Sequence, residues 1–422
     1  MKKTNALERQ RAVYIGGAAG VRQVIPFDGA ALELRAKEKM SAEAFAYIAG
    51  GAGLERTMAA NLSGFDRWRI VPRMLRNVEE RDASTDFFGK KIPAPFFLAP
   101  IGVLEMAHPE ADLAVAKAAG AFGVPYIFSN QASVSMEQCA AAMGDAPHLF
   151  QLYWSRSNDL VASFLRRAEA CGCSAVVVTL DTTMLGWRTR DLDLATLPFL
   201  KGMGIAQYTS DPVFQRLLDE PDPTPRPKTK VTWDAIRTLL ASSRRYPGGF
   251  WDNLRSGRGL AAVRKFTQIY SRPNITWSDL PFLREHTQLP IVLKGILHPD
   301  DAKKALDYGA DGIYVSNHGG RQVDGSIGAI EALPNVLEAV RGKVPVLFDS
   351  GIRGGADAFK ALALGATAVG IGRPYCYALA VNGQAGVEEL LDNWFSDFEL
   401  TMGLAGCKNV AEVQAAGTVQ AV

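Results

Sequence analysis

The stretch Val315 to Gly325, VSNHGGRQVDG, carries one of only five histidines in 422 residues. His318 stands just beyond an apolar run, GIYV, and is followed by two glycines, Arg321 and Gln322. Glycines let a backbone turn and approach a ligand closely. A histidine at such a turn is placed to take a proton from a substrate whose carboxylate the arginine holds. The other four, His108, His148, His286 and His298, have no such neighbours and read as core or surface residues.

Three further groups fit an anionic ligand. FDSGIRGGADAFKALALGA sets glycines and Arg353 before a helical pattern, and GIGRP sets Gly372 and Arg373 after a strand pattern. Backbone N–H groups at a helix start, with two guanidinium groups, can satisfy a phosphate dianion, although the glycines could also serve only tight turns. Lys294 ends the apolar run LPIVLK, as an internal ion pair or as a cation facing developing negative charge. In LDTTMLGWRTRD, Arg188 offers a second carboxylate clamp, and Asp181 could orient and charge-stabilise an imidazole.

Something must bring these residues to one place, and the periodicity suggests what. From about residue 95, short β-branched or apolar runs alternate with alanine-rich helical patterns. The runs are PFFLAP, VPYIFSN, HLFQLY, SAVVVTLDT, LPIVLKG, DGIYVSNHG, VPVLFDSG and TAVGIGRP. Eight strands alternating with helices predict a (β/α)8 TIM barrel, an α/β fold; a doubly wound open sheet is the alternative. The strand ends carry Pro100, Ser129, Gln151, Tyr153, Thr179, Asp181, Lys294, His318, Asp349 and Arg373. In a barrel those ends ring one mouth, where polar groups cannot be serving the core.

One domain over 1–422 is expected, with an N-terminal helical cap over 1–90 and the barrel over 91–422. A long insertion over 191–275, after the fourth strand, reads as a lid. It contains the proline-rich EPDPTPRPKTK and a basic segment from Arg226 to Arg272, read as a solvated face or a subunit contact.

Composition narrows the function classes. With 48% hydrophobic residues, 21% charged and a net charge of +2, the chain reads as an ordinary soluble protein with no nucleic-acid partner implied. No signal-peptide pattern or apolar run of about 20 residues is seen. Five scattered cysteines suit a reducing compartment, so a cytoplasmic location is expected. The CGC at Cys171–Cys173 reads as turn and packing, and no histidine and carboxylate cluster has metal-ligand spacing.

SNHGGRQ, with YIAGGAG, RMLRNVEERD, APIGV, LDTTMLGWRTRDL, LKGILHPDDA and VLFDSGIRGGAD, closely resembles the FMN-dependent 2-hydroxy acid oxidase family, from about Tyr14 to Cys407. The resemblance implies FMN across the barrel mouth. Its phosphate would meet Gly351, Arg353, Gly372 and Arg373, with Asp349 on the ribityl chain. Pro100, Ile101 and Gly102 would hold the ring system, and Ser129, Gln151, Thr179 and Ser316 would complete its contacts. Lys294 would stabilise negative charge on the reduced flavin. Arg188, Arg321 and Tyr47 would bind the substrate carboxylate, Tyr153 would reach the reacting hydroxyl, and His318, paired with Asp181, would be the base.

Within the family the segments, PFLKGMGIAQYTSDPVFQ included, are nearest to the lactate 2-monooxygenase branch. This implies L-lactate and O2 as partners and acetate, CO2 and water as products; Gly102, where oxidases more often carry alanine, belongs to that pattern. The alternatives are an oxidase releasing peroxide and a dehydrogenase with a protein or quinone acceptor. The latter predicts an apolar docking loop, whereas the insertion reads as basic. A non-catalytic flavin-binding protein is the different-class reading. A homo-tetramer or octamer is also implied. Leu54 departs from the family, which usually has an acidic residue there.

Overall fold

A computed structural model describes residues 5–221, 232–415 and 417–422. EPDPTPRPKTK beyond Pro221 lies outside the described residues, and so does Arg226. Eight parallel strands close a barrel: β1 (Phe96–Leu98), β2 (Tyr126–Phe128), β3 (His148–Leu152), β4 (Val176–Thr179), β5 (Ile291–Lys294), β6 (Gly312–Val315), β7 (Val346–Phe348) and β8 (Ala368–Ile371). Each falls inside one of the eight apolar runs. β8 pairs with β1, Val369 opposite Phe96 and Ile371 opposite Leu98, which rules out an open sheet.

Every strand residue is buried, and the period of two divides them. Phe97, Ile127, Leu149, Val177, Val292, Tyr314 and Leu347 fill the barrel, while Phe96, Leu98, Phe128, Val178, Ile313 and Phe348 join the larger core shared with the helices. Burial on both faces explains the near-continuous apolar runs. Local signals start the helices. Ser135 and Ser157 accept N–H bonds from Gln138 and Leu160 at the starts of Met136–Met143 and Asn158–Ala170.

The N-terminal region differs from a purely helical cap. Four helices, Ala6–Ala18, Gly29–Lys39, Ala42–Ala49 and Arg56–Ser63, are followed by Trp68–Ile70, which pairs with Val419–Ala421, and by a hairpin, Thr85–Phe87 with Lys90–Ile92. Its two loop residues, Phe88 and Gly89, both have positive φ, the turn that matches strand twist. Phe87 and Ile92 pack into the barrel interior and Phe88 lies against it, so the hairpin plugs one end. The cause is a short period-two pattern with two adjacent phenylalanines.

The segment between β4 and β5 is largely helical, including Pro212–Asp219, Trp233–Arg245, Phe250–Ser256 and Arg258–Ile269. Buried Asp211 explains DPVF. One carboxylate oxygen accepts from Val213 N (2.8 Å), and the other from Ser163 Oγ (2.9 Å) and Arg167 (3.1 Å), tying the insertion to a barrel helix. Arg245 pairs with Glu105 at 2.6 Å and Arg258 with Asp219 at 2.9 Å. Trp233 and Trp251 are exposed in this insertion, so its surface is not solely basic. No helix among the described residues is long and apolar enough to cross a membrane.

Candidate active site

The C-terminal strand ends surround a cavity that opens to solvent. Tyr47, Pro100, Ile101, Gly102, Tyr153, Arg188, Lys294, His318, Arg321, Asp349, Gly351, Arg353, Gly372 and Arg373 line it, bringing together most of the residues singled out from sequence. The remainder stand behind the wall. Ser129 Oγ donates to Gln151 (3.2 Å), Gln151 Nε2 to Thr179 Oγ1 (2.9 Å), and Lys294 Nζ to Ser316 Oγ (2.8 Å). Asp181 lies against His318.

His318, Gly319 and Gly320 have φ of 58°, 65° and 75°. For histidine this left-handed backbone is strained and persists only if its surroundings enforce it. A side chain at Gly319 would meet the Arg373 guanidinium at 2.8 Å. Ser350 Oγ accepts the Gly319 N–H at 3.0 Å, and Asn317 Oδ1 accepts that of Gly320 at 3.1 Å. Asn317 is itself fixed by a reciprocal amide pair with Asn61, at 2.8 and 2.7 Å, across 256 residues of chain.

His318 Nδ1 lies 2.9 Å from Asp181 Oδ1. Burial would raise the Asp181 carboxyl, but His318 and Lys294 hold it down at about 2. Burial keeps the His318 imidazole below its ordinary 6.5, against the pull of Asp181, with Lys294 and Arg188 adding repulsion. The pair at neutral pH is therefore a carboxylate and a neutral imidazole. A carboxylate only accepts, so Nδ1 carries the proton and the Nε2 lone pair is left for a ligand.

Lys294 lies 3.9 Å from both Asp181 and Asp349. Asp349 also accepts from Tyr314 (2.6 Å) and Ser350 (2.8 Å). Arg321 donates to the Tyr47 carbonyl (2.5 Å) and Gly50 carbonyl (2.8 Å) and stacks over the Tyr47 ring. Arg373 binds the carbonyls of Ile48, Gly319 and Gly50, so two of its donors hold the N-terminal segment to the barrel mouth and a third holds the turn at His318. Burial and the neighbouring Arg188 bring Arg321 down to about 9, leaving it a cation at neutral pH.

Among the described residues, none of the four cavity arginines has a carboxylate within ion-pair distance. Buried cations without carboxylates suit an anionic occupant. A side chain built at Gly372 would meet nothing within 4 Å, which leaves a cradle beside Arg373. Both features fit a phosphate-bearing cofactor and a small carboxylate.

Several contributors were not singled out from sequence: Thr182, Asn61, Asn317, Ser350, and the wall residues Leu185, Phe199 and Tyr270. Thr182 and Asn317 adjoin residues that were, and that adjacency was the available signal. Nothing local marks Asn61. The lone histidines are structural: His148 bonds the carbonyls of Ala146 and Cys171, His286 that of Phe282, and His108 and His298 accept nearby N–H groups. Cys171 closes a helix, Gly172 turns at φ 74°, and Cys173 is buried. Leu54 is exposed; the acidic side chain is Glu55, which accepts from Gly51 and pairs with Arg190.

The family model for FMN-dependent dehydrogenases matches residues 36–420. An FMN-dependent alpha-hydroxy acid dehydrogenase of Penicillium citrinum is 41% identical over 90% of this chain and 87% of its own length. An L-lactate oxidase of Lysinibacillus sphaericus is 40% identical over 91% and 90%. The crystal structure of a mandelate oxidase with (S)-4-hydroxymandelic acid superposes with a TM-score of 0.77 at 36% identity, over 94% of this chain and 99% of that one. With a match that runs from the N-terminal segment at the barrel mouth through the last barrel strand, the chain belongs to the FMN-dependent dehydrogenase family.

Proposed function

We propose that the chain oxidises a small L-2-hydroxy acid, L-lactate, with O2 as acceptor, and keeps the first products together so that acetate, CO2 and water leave. The observation that carries the oxidation is a neutral His318, backed by the Asp181 carboxylate, in a cavity whose arginines lack carboxylate partners. FMN, when bound, supplies the electron sink between the substrate α-carbon and O2. Arg353, Arg373, Gly351 and Gly372 would hold its phosphate and Asp349 its ribityl chain. Pro100, Ile101, Gly102, Ser129, Gln151, Thr179 and Ser316 would support the rest, with Lys294 supplying buried positive charge.

Arg188 and Arg321, with Tyr47, bind the substrate carboxylate, and Tyr153 orients the hydroxyl. His318 Nε2 takes the proton released as the substrate is oxidised, and Asp181 stabilises the resulting imidazolium. Leu185, Phe199 and Tyr270 wall the cavity toward the insertion, which favours retention of pyruvate beside peroxide.

A second reading, an oxidase releasing pyruvate and peroxide, is supported by the relative named L-lactate oxidase, against the pattern at Gly102. A side chain there would meet the Gln131 carbonyl at 2.8 Å, so packing alone accounts for the glycine and it does not argue for retention. The test supplies the flavoprotein with L-lactate in air and quantifies acetate, pyruvate and peroxide against O2 consumed. Acetate equal to O2, with little peroxide, is expected; pyruvate and peroxide equal to O2 establish the oxidase instead. We also propose a homo-tetramer or octamer, supported by the exposed Leu54, Trp187 and Leu192 near the mouth and checked by light scattering.

A further inference from the structure

Thr182 has no part in the roles above. Its Oγ1 lies 2.8 Å from Asp181 Oδ1 and 3.1 Å from His318 Nδ1, completing a three-membered cluster. A hydroxyl has one proton, and a carboxylate can only accept. Thr182 therefore directs its proton to Asp181, and the oxygen presents a lone pair to Nδ1. The imidazole N–H thus faces two acceptors, the carboxylate at 2.9 Å and the hydroxyl at 3.1 Å, on one edge of the ring.

Resting on the reading of His318 as base, we propose that Thr182 is a positioning residue that fixes the ring angle of His318, whose Nδ1–H tautomer Asp181 sets, aiming the Nε2 lone pair at the substrate. A carboxylate alone leaves the ring free to pivot about a single bond, and the second acceptor removes that freedom. Donation from Thr182 also draws charge away from Asp181 and so weakens its hold on an imidazolium proton. The charged groups facing His318 are Asp181 and Arg188, from the loop that follows β4, and Lys294, at the end of β5.

The test follows anaerobic flavin reduction by L-lactate across pH in Thr182→Val and Thr182→Ser holoenzymes. In Thr182→Val, Asp181 bears its full charge and His318 keeps its proton to higher pH. The acid limb of the reduction rate is then expected to move up by about one pH unit, with a loss of no more than about threefold at neutral pH and substrate binding unchanged. Thr182→Ser restores the wild-type profile. Nitrogen NMR of histidine-labelled protein gives an independent readout: His318 keeps its Nδ1–H tautomer in both proteins, and its imidazolium signal persists to higher pH in Thr182→Val than in wild type.

An unshifted acid limb with an unshifted His318 titration in Thr182→Val overturns the inference. A fall in flavin affinity and a rise in KM with no shift in the limb also overturn it, because they mark a packing role. If Thr182→Val loses its flavin, Thr182→Ala carries the same expectation and the same overturning results. His318→Ala separates the two levels: full flavin reduction in that variant overturns the base assignment itself, whereas its loss beside a normal Thr182→Val profile overturns only the role of Thr182.

Discussion

At the scale of single residues, chemistry depends on which groups are charged when the substrate arrives. Burial makes His318 a weaker base than a solvated histidine, while Asp181 keeps it oriented. The folded protein therefore resists protonating His318 more than the unfolded chain does. Stability from this group is present above the unfolded value near 6.5 and is lost as pH falls from there toward the lower folded value. The same sign governs activity: the acid limb of kcat/KM is expected below 6.5, and a limb above it contradicts a buried, neutral base. His318→Ala is expected to keep its yellow flavin while flavin reduction falls by at least about two decades, read by anaerobic stopped flow.

At the scale of elements, the loop carrying Gln131 is held by a buried carboxyl outside the cavity. Asp112, in the first turn of Ala111–Phe122, accepts from Ser133 N (2.8 Å), Val134 N (3.2 Å) and Tyr126 Oη (3.2 Å). Burial outweighs those bonds and pushes it up to about 7 from an ordinary 3.8. Between these values the folded state holds a proton that the unfolded chain has released, so stability falls as pH rises through the window and levels off above it. The fall is on the order of a few kcal/mol. Asp112→Asn, which cannot ionise, is expected to show a smaller drop in Tm between pH 5 and pH 8 than wild type. An equal drop in both proteins would place the pH dependence elsewhere.

For the whole molecule, the cavity lies where the barrel mouth, the N-terminal segment and the insertion meet, and two arginines already bind both barrel and segment. Arg321 and Arg373 each donate to the Gly50 carbonyl. An anionic cofactor there neutralises cations that follow several different strands, so FMN binding and folding are linked. Stripping FMN is expected to lower Tm, and restoring it at about 100 times its Kd to return about 2.7 kcal/mol. Arg353→Ala is expected to weaken FMN retention while leaving the fold intact, as followed by flavin release on dilution. A Tm that ignores FMN would argue against this cavity as its site.

The sequence by itself determined the eight strands and the polar residues at their ends, because both are written in local patterns. A strand buried on both faces needs a short apolar run, and whatever follows it must reach the mouth. SNHGGRQ, LKG and GIGRP were legible for that reason, and so was the glycine-rich turn around His318. Only the tertiary structure decided the closure of β8 onto β1, the plug made by Thr85–Ile92, and the cavity wall of Leu185, Phe199 and Tyr270. It also decided that Asn61 holds Asn317 and that Thr182 faces both Asp181 and His318. These are contacts between segments far apart in the chain. Their geometry depends on how strands close and helices pack, and nothing in the spacing of neighbouring residues encodes a distance of 3 Å across 136 positions.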